Sequence, residues 1–195
     1  HHIDLKYERK EDKPLSKLTK RVAVLFLTGA IVVSSAAMAF AAGSPTAGKT
    51  TVDEGVAKVT VDTAKDGTAD VTGVTPENKK TSVVVNATVK DANGASYTVT
   101  TVKTSTLTMP CKAVTFNVNG GTKFEKQVVK KGVKIKQINI KSADGTTFTA
   151  KDFNKKAFKG FKGKIKVAKN AMSKKQFNKL AKQLKKGGFK GKISR

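Results

Sequence analysis

The chain has 195 residues, with 39 Lys or Arg against 14 Asp or Glu, no Trp and one Cys. A single cysteine excludes an intrachain disulfide, and this length suits one domain of ordinary size plus additional segments. The formal net charge of +25 is concentrated in residues 121–195, which hold 24 basic and three acidic residues. The charge therefore points to anionic partners for the C-terminal part of the chain.

Residues 1–41 have the order of a secretion signal. A basic segment ending in KPLSKLTKR precedes the apolar run VAVLFLTGAIVV, and small residues follow it. This order predicts a signal peptide cleaved near Ala41, with a cut after Ala39 as the alternative. A transmembrane helix is the other interpretation, because residues 22–42 could just span a bilayer. We expect a protein that is secreted or displayed at the cell surface.

Residues 42–56 are rich in Gly, Ser, Thr and Ala, which predicts a linker. They contain GSPTAGKT, residues 43–50, which matches the phosphate-loop pattern G-x-x-x-x-G-K-T. A phosphate loop needs a buried strand before it and a helix after it, and the sequence predicts neither here. We interpret the match as a coincidence.

Residues 57–104 alternate between apolar and polar residues and predict a β-hairpin region that caps the C-terminal part of the chain. AKVTVD and ADVTGVT flank the turn signal Lys65-Asp66-Gly67. A second hairpin is predicted between an arm that begins at Val83 and an arm that begins at Tyr97. Asn93-Gly94, which is typical of a type I′ turn, would connect the two arms.

Residues 105–195 contain short strand patterns at a regular spacing. The spacing i, i+3, i+5 recurs at Ala113-Phe116-Val118, Ile135-Ile138-Ile140 and Lys162-Ile165-Val167. The second copy lies 22 residues after the first, and the third lies 27 residues after the second. A period in the twenties with one short strand per repeat is typical of a leucine-rich-repeat solenoid. Three unrelated strands of an ordinary sheet are the alternative.

Residues 173–186 predict an amphipathic helix. Ser173 and Gln176 have the spacing of a capping box, and Gly187 and Gly188 follow the last turn, where a positive φ is favoured. One apolar stripe is expected from Phe177, Leu180, Ala181 and Leu184.

The sequence offers no candidate catalytic residue, cofactor site or metal site, and we expect no enzyme. His1 and His2 are the only histidines, so a chain cut near Ala41 would lack histidine. That excludes a Ser-His-Asp triad and histidine-ligated zinc. The acidic residues fall at turns and linkers, where they are expected for structural reasons. Cys111 is predicted to be a buried apolar residue rather than a reactive thiol.

The run NKKAFKGFKGKIKVAKNAMSKKQFNKLAKQLKKGG, residues 154–188, resembles the terminal unit of BspA-type leucine-rich-repeat proteins of bacterial surfaces. Those chains end in an AFKG-like turn, a short basic strand that ends in proline, and a lysine-rich helix. Asn170 or Ala171 stands here in place of that proline. The run CKAVTFNVN, residues 111–119, is similar to a second repeat strand, and residues 81–102 are similar to the hairpin that precedes the repeats.

The resemblance implies a mainly β fold. In it, a short leucine-rich-repeat-like solenoid, degenerate over residues 105–195, is preceded by the β-hairpin cap region and closed by the C-terminal amphipathic helix. It also implies surface binding or adhesion by an exported bacterial protein without enzymatic activity. The expected partner is a host or cell-surface macromolecule or an anionic wall polymer. Membrane contact is expected only through the signal segment or the surface charge.

The alternative function is a basic polyanion-binding protein without a repeat fold, with a wall polymer, an anionic lipid or nucleic acid as its ligand. Nucleic acid is disfavoured because Arg is nearly absent and Lys is a point charge rather than a bidentate reader. The phenylalanines interleaved with the lysines are expected in the core, notably Phe158, Phe161 and Phe177. The candidate polyanion-binding residues are Lys174, Lys175, Lys179, Lys182, Lys185 and Lys186.

Overall fold

The computed structural model describes residues 43–195, so the predicted signal segment, including Ala41 and both histidines, lies outside the described residues. The described chain is mainly β-strand, with one α-helix near its C-terminus. The strands are β1 Gly48–Asp53, β2 Ala57–Thr63, β3 Thr68–Pro76, β4 Ser82–Asn86, β5 Thr88–Lys90, β6 Ser96–Val102, β7 Cys111–Val118, β8 Lys123–Phe124, β9 Ile135–Ser142, β10 Lys164–Val167 and β11 Lys192–Ser194. The helix α1 spans Lys174–Lys186, and a 3-10 turn spans Ala150–Asp152.

The first sheet has the order β1-β2-β3-β6-β5, with β8 also paired to β6. β2 and β3 form the antiparallel hairpin predicted around Lys65-Asp66-Gly67, and Gly67 has the positive φ (+80°) that this turn needs. β1 lies in the segment that we expected to be a linker. Its Thr-rich sequence pairs antiparallel with β2 from Gly48 to Asp53, so part of that segment belongs to the sheet.

The arm that begins at Val83 does not pair with the arm that begins at Tyr97, so the prediction of one long hairpin was wrong for its first arm. β4 pairs with β7 in the second sheet, and only the short β5 pairs with β6. The turn is also not type I′, which needs a positive φ at both central residues, because only Gly94 has one. Instead, the Asp91 side chain accepts hydrogen bonds from the backbone N–H groups of Asn93 and Ala95, both at 2.9 Å. These bonds favour a longer loop over residues 91–95.

The second sheet contains five strands in the order β4-β7-β9-β10-β11, which is their order along the chain. Every neighbouring pair in it is parallel. One row of apolar side chains crosses all five strands, formed by Val83, Val114, Ile138, Ile165 and Ile193. The first four are buried and Ile193, on the edge strand, is partly exposed. This row is the side of the sheet that faces the core.

The register confirms one predicted spacing and corrects the other. Ile165 lies opposite Ile138, which is the 27-residue offset expected from the sequence. Val114 lies opposite Ile138, an offset of 24 residues rather than 22. A shift of two residues keeps the same face inward, so the pattern predicted the buried face but not the pairing.

Parallel pairing also occurs outside this sheet, at isolated bridges. Val74, Leu107 and Val129 form isolated parallel bridges, and Phe124 is bridged to Phe153. The buried side chains of both sheets and these connections belong to one apolar core. An aromatic cluster forms its C-terminal part, with the Phe124 and Phe153 rings stacked at 4.6 Å between centroids.

α1 begins at the predicted cap, where the Ser173 hydroxyl accepts a hydrogen bond from the Gln176 N–H at 3.3 Å. The reciprocal half of the capping box does not form, because the Gln176 side chain binds the backbone of another segment. Leu180 and Leu184 are buried and Phe177 is partly buried, as the stripe predicted. The prediction that this helix closes the C-terminal end of the strand stack was wrong: α1 connects the parallel strands β10 and β11, and β11 forms the sheet edge.

Candidate polyanion-binding site

All six candidate lysines lie on α1 and are exposed to solvent. Four of them, Lys175, Lys179, Lys182 and Lys186, are spaced i, i+4, i+7 and i+11, so they form one stripe along the helix. The stripe is about 17 Å long, because a helix rises about 1.5 Å per residue. Lys174 and Lys185 lie on a different side of the helix. The structure therefore divides the candidate set into a stripe of four and two separate residues.

The stripe borders a groove between α1 and the segment of residues 149–155. The groove consists of two adjoining depressions of about 350 and 330 Å³ that share Lys179 and Gln183. Its basic lining residues are Lys151, Lys155, Lys179, Lys182 and Lys186. Lys151 and Lys155 were not predicted, since no sequence spacing shows that their segment lies beside the helix.

Two glutamines of α1 fix the wall of this groove. The Gln176 side-chain oxygen accepts a hydrogen bond from the Ala150 N–H at 3.1 Å. The Gln183 side-chain NH₂ group donates to the carbonyl oxygens of Ala150, at 3.1 Å, and Phe153, at 2.5 Å. Because these residues are two helical turns apart, they hold the 3-10 turn along the helix at two points. The groove is thus a built feature rather than a gap between loosely packed segments.

Asp152 is the only acidic residue after Asp144 in the sequence. Both oxygens of its carboxylate have partners within the protein. Asp152 is buried, and one of its oxygens accepts hydrogen bonds from the N–H group and the hydroxyl of Thr149, at 2.7 and 3.1 Å. The other oxygen forms an ion pair with Lys123 at 2.5 Å. Its negative charge is therefore engaged within the protein.

None of the ion pairs in residues 43–195 involves a lysine of α1 or of residues 149–155. The other two pairs join Lys103 to Asp70 and to Glu125, both at 3.1 Å. The hydrogen bonds that the Lys103 ammonium donates to Glu125 and Asp70 raise its pKa, so the charge of this lysine is paired within the protein. The groove lysines have no such partner in the described part of the chain. Their positive charges are therefore exposed to solvent.

A second basic surface, also missed from the sequence, lies on the outward face of the parallel sheet. Lys164 and Lys192 lie directly opposite each other on β10 and β11, and both are exposed. Opposed like charges destabilise a sheet, so this arrangement has no structural benefit. On the neighbouring strands the same face carries Thr115, Gln137 and Asn139, which are joined by side-chain hydrogen bonds of 2.7 and 3.0 Å.

The described residues show no constellation for metal or thiol chemistry. Residues 43–195 contain no group of three His, Cys, Asp or Glu side chains that could hold a metal ion. Cys111 begins β7 and is 4% exposed, as predicted, and desolvation by burial raises the pKa of its thiol to about 11. The phosphate-loop match ends in β1, a strand where the motif requires a helix. No helix within the described range is long and apolar enough to cross a bilayer.

Comparisons with known proteins give one distant likeness. No family model matches the chain, and no curated protein matches it. Among solved structures, the chain is similar to the crystal structure of a leucine-rich repeat protein from Bacteroides capillosus ATCC 29799, with 17% sequence identity and a TM-score of 0.28. The match covers 75% of this chain and 99% of that chain.

Proposed function

We propose that this is an exported, non-enzymatic, cell-surface binding or adhesion protein of a bacterium, with a leucine-rich-repeat-like module and an anionic wall polymer as its ligand. The signal-like order of residues 1–41 supports export. The lysine stripe of α1 and the groove beside it support a binding role.

The parallel sheet supports the repeat-like module. Its last four strands follow one another at offsets of 24, 27 and 28 residues, measured at Val114, Ile138, Ile165 and Ile193. A near-constant offset with one strand per turn is the arrangement of stacked repeats, in which each unit buries its apolar face against its neighbours. This favours a repeat-built protein over a polyanion-binding protein without a repeat fold.

The observation that carries the proposed ligand is the unneutralised charge of residues 121–195. Of the 24 basic residues there, Lys123 alone pairs with a carboxylate in the structure. Such self-repulsion destabilises a compact chain, and an anionic surface relieves it. Lysine-rich surfaces also attract polyanions over long range and raise the rate of encounter.

Retention on purified anionic cell-wall polymer at several salt concentrations tests this proposal. We expect retention at low salt and release as the Debye length falls to about 3 Å near 1 M salt. Failure to bind at low salt would contradict it. Retention that is unchanged at high salt would instead favour an adhesin that recognises a host macromolecule through a specific pocket.

A further inference from the structure

We propose that the groove between α1 and residues 149–155 binds one extended chain of a phosphate polymer. This inference rests on the proposed function, because it names the ligand chemistry and the place of contact for a protein that binds anionic polymers. It distinguishes the groove from the remaining basic surface, which would contribute only long-range attraction.

The charge of the groove is complementary to such a polymer. The groove is lined by five lysines, Lys151, Lys155, Lys179, Lys182 and Lys186. The nearest carboxylate in the sequence, that of Asp152, is buried and bound to Thr149 and Lys123. A ligand phosphate would therefore meet ammonium groups from both walls and no competing acidic group from either segment.

The shape of the groove also suits a linear chain. The groove runs along the helix, beside a stripe about 17 Å long, and its two depressions adjoin at Lys179 and Gln183. The bonds from Gln176 and Gln183 to the 3-10 turn hold both walls in place before a ligand arrives, which lowers the entropy lost on binding. A single linear chain can lie along such a groove.

The basic side chains of the groove are suited to phosphate oxygens. Lysine is a common phosphate ligand and binds it as a point charge, whereas the planar fork of arginine pairs in bidentate fashion with either a carboxylate or a phosphate. The basic residues that line the groove are all lysines. Arg195, the one arginine among residues 43–195, uses its guanidinium to bind the carbonyl oxygens of Lys169 and Met172, at 2.9 and 3.0 Å. The Arg195 side chain therefore binds the protein backbone and does not line the groove.

Binding of the exported protein to inorganic polyphosphate, measured by calorimetry, tests the inference. The groove variant is K155Q/K179Q/K182Q, and the matched control is K130Q/K131Q/K134Q in the loop before β9. All six lysines are exposed, and both variants lose three charges. We expect the groove variant to lose at least tenfold in affinity and the control less than about threefold. The slope of log affinity against log salt concentration should become shallower by about 2 in the groove variant alone. Three phosphate contacts are lost there, and each contributes about 0.7 to the slope.

Equal losses of affinity in the two triple variants would contradict the groove as the binding site, while the proposed function would still stand. Absence of polyphosphate binding and of wall-polymer binding by the unaltered protein would overturn both. Polyglutamate bound as tightly as polyphosphate would overturn phosphate as the ligand chemistry of the groove. If the unaltered protein bound vesicles of phosphatidylglycerol but not polyphosphate, the ligand would be a lipid surface and not a polymer. Circular dichroism of each variant before titration shows that it is folded.

Discussion

Phe161 and Phe189 stack with ring centroids 6.1 Å apart and ring planes at 26°. They begin two copies of the sequence FKGKI, residues 161–165 and 189–193, which are aligned in parallel so that Lys164 lies opposite Lys192. The glycines of the two copies also meet, because a Cβ added at Gly191 would overlap the carbonyl oxygen of Gly163. The two copies of the repeated sequence thus contact each other position by position.

The glycine contact predicts a selective sensitivity to alanine. A Cβ at Gly163 would overlap the carbonyl oxygen of Ile135 and the ring of Phe161, so Gly163→Ala should destabilise the fold by about 1–3 kcal/mol through overpacking. Gly48→Ala is the control, because no atom lies within 4 Å of its added Cβ. It should change stability by less than about 0.5 kcal/mol. Urea unfolding of both variants makes the comparison, and equal effects would show that the turns are not in close contact.

Asp152 should contribute more to stability than its exposed neighbours. Asp152→Ala removes the acceptor for the Thr149 N–H and the partner of Lys123, and should cost about 1–3 kcal/mol. Lys151→Ala, at an exposed neighbouring position, should stay within about 0.5 kcal/mol. Thermal unfolding followed by circular dichroism measures both. A neutral Asp152→Ala would mean that the 3-10 turn is not anchored by this carboxylate.

The buried thiol predicts a loss of stability at alkaline pH. The pKa of the Cys111 thiol is about 11 in the folded chain, against an ordinary value of 9.0 for the thiol in the unfolded chain. The unfolded chain therefore loses the proton first, and the contribution of this group is present below about pH 9 and lost as the pH rises through about 11. The difference in unfolding free energy between the unaltered protein and Cys111→Ala should shrink over that window. A difference independent of pH would contradict the burial of the thiol.

Export predicts a defined N-terminus. Expression in a secreting bacterium should give a product that begins at Ala42 or within about three residues of it. Intact mass and N-terminal sequencing measure this directly. Full-length chain recovered from the cytosol or held in the membrane would contradict the prediction.

The sequence predicted the elements whose signals are local. The spacing of Ile165 and Val167 from Ile138 and Ile140 identified the alignment of β10 on β9, and Ser173 identified the start of α1. β4 was assigned to the wrong partner because alternation looks the same whether a strand pairs with its neighbour in sequence or with a distant strand. β11, three residues long, was not predicted, although the second copy of FKGKI, residues 189–193, was a signal for its alignment on β10.

The candidate site was predicted only in part, for a related reason. The lysines of α1 are visible as a helical pattern, and their exposure follows from the burial of Leu180 and Leu184 on the other side. The contribution of Lys151 and Lys155 depends on hydrogen bonds that the side chains of Gln176, as acceptor, and Gln183, as donor, form with the backbone of Ala150 and Phe153, about 30 residues away. Such bonds bring together residues that no spacing relates, so they could not be found from the sequence.

Both the fold and the candidate site depend on the packing of α1, because this packing buries the apolar stripe of the helix and exposes its lysines to solvent. Leu180 is 1% exposed and Lys179, the preceding residue, is exposed. Paired denaturant unfolding of Leu180→Ala and Lys179→Ala tests this packing directly. We expect Leu180→Ala to lose about 2–5 kcal/mol through lost burial and cavity formation, and Lys179→Ala to change stability by less than about 0.5 kcal/mol. Small and equal effects would show that the stripe is not buried, and would contradict both the packing of α1 and the groove beside it.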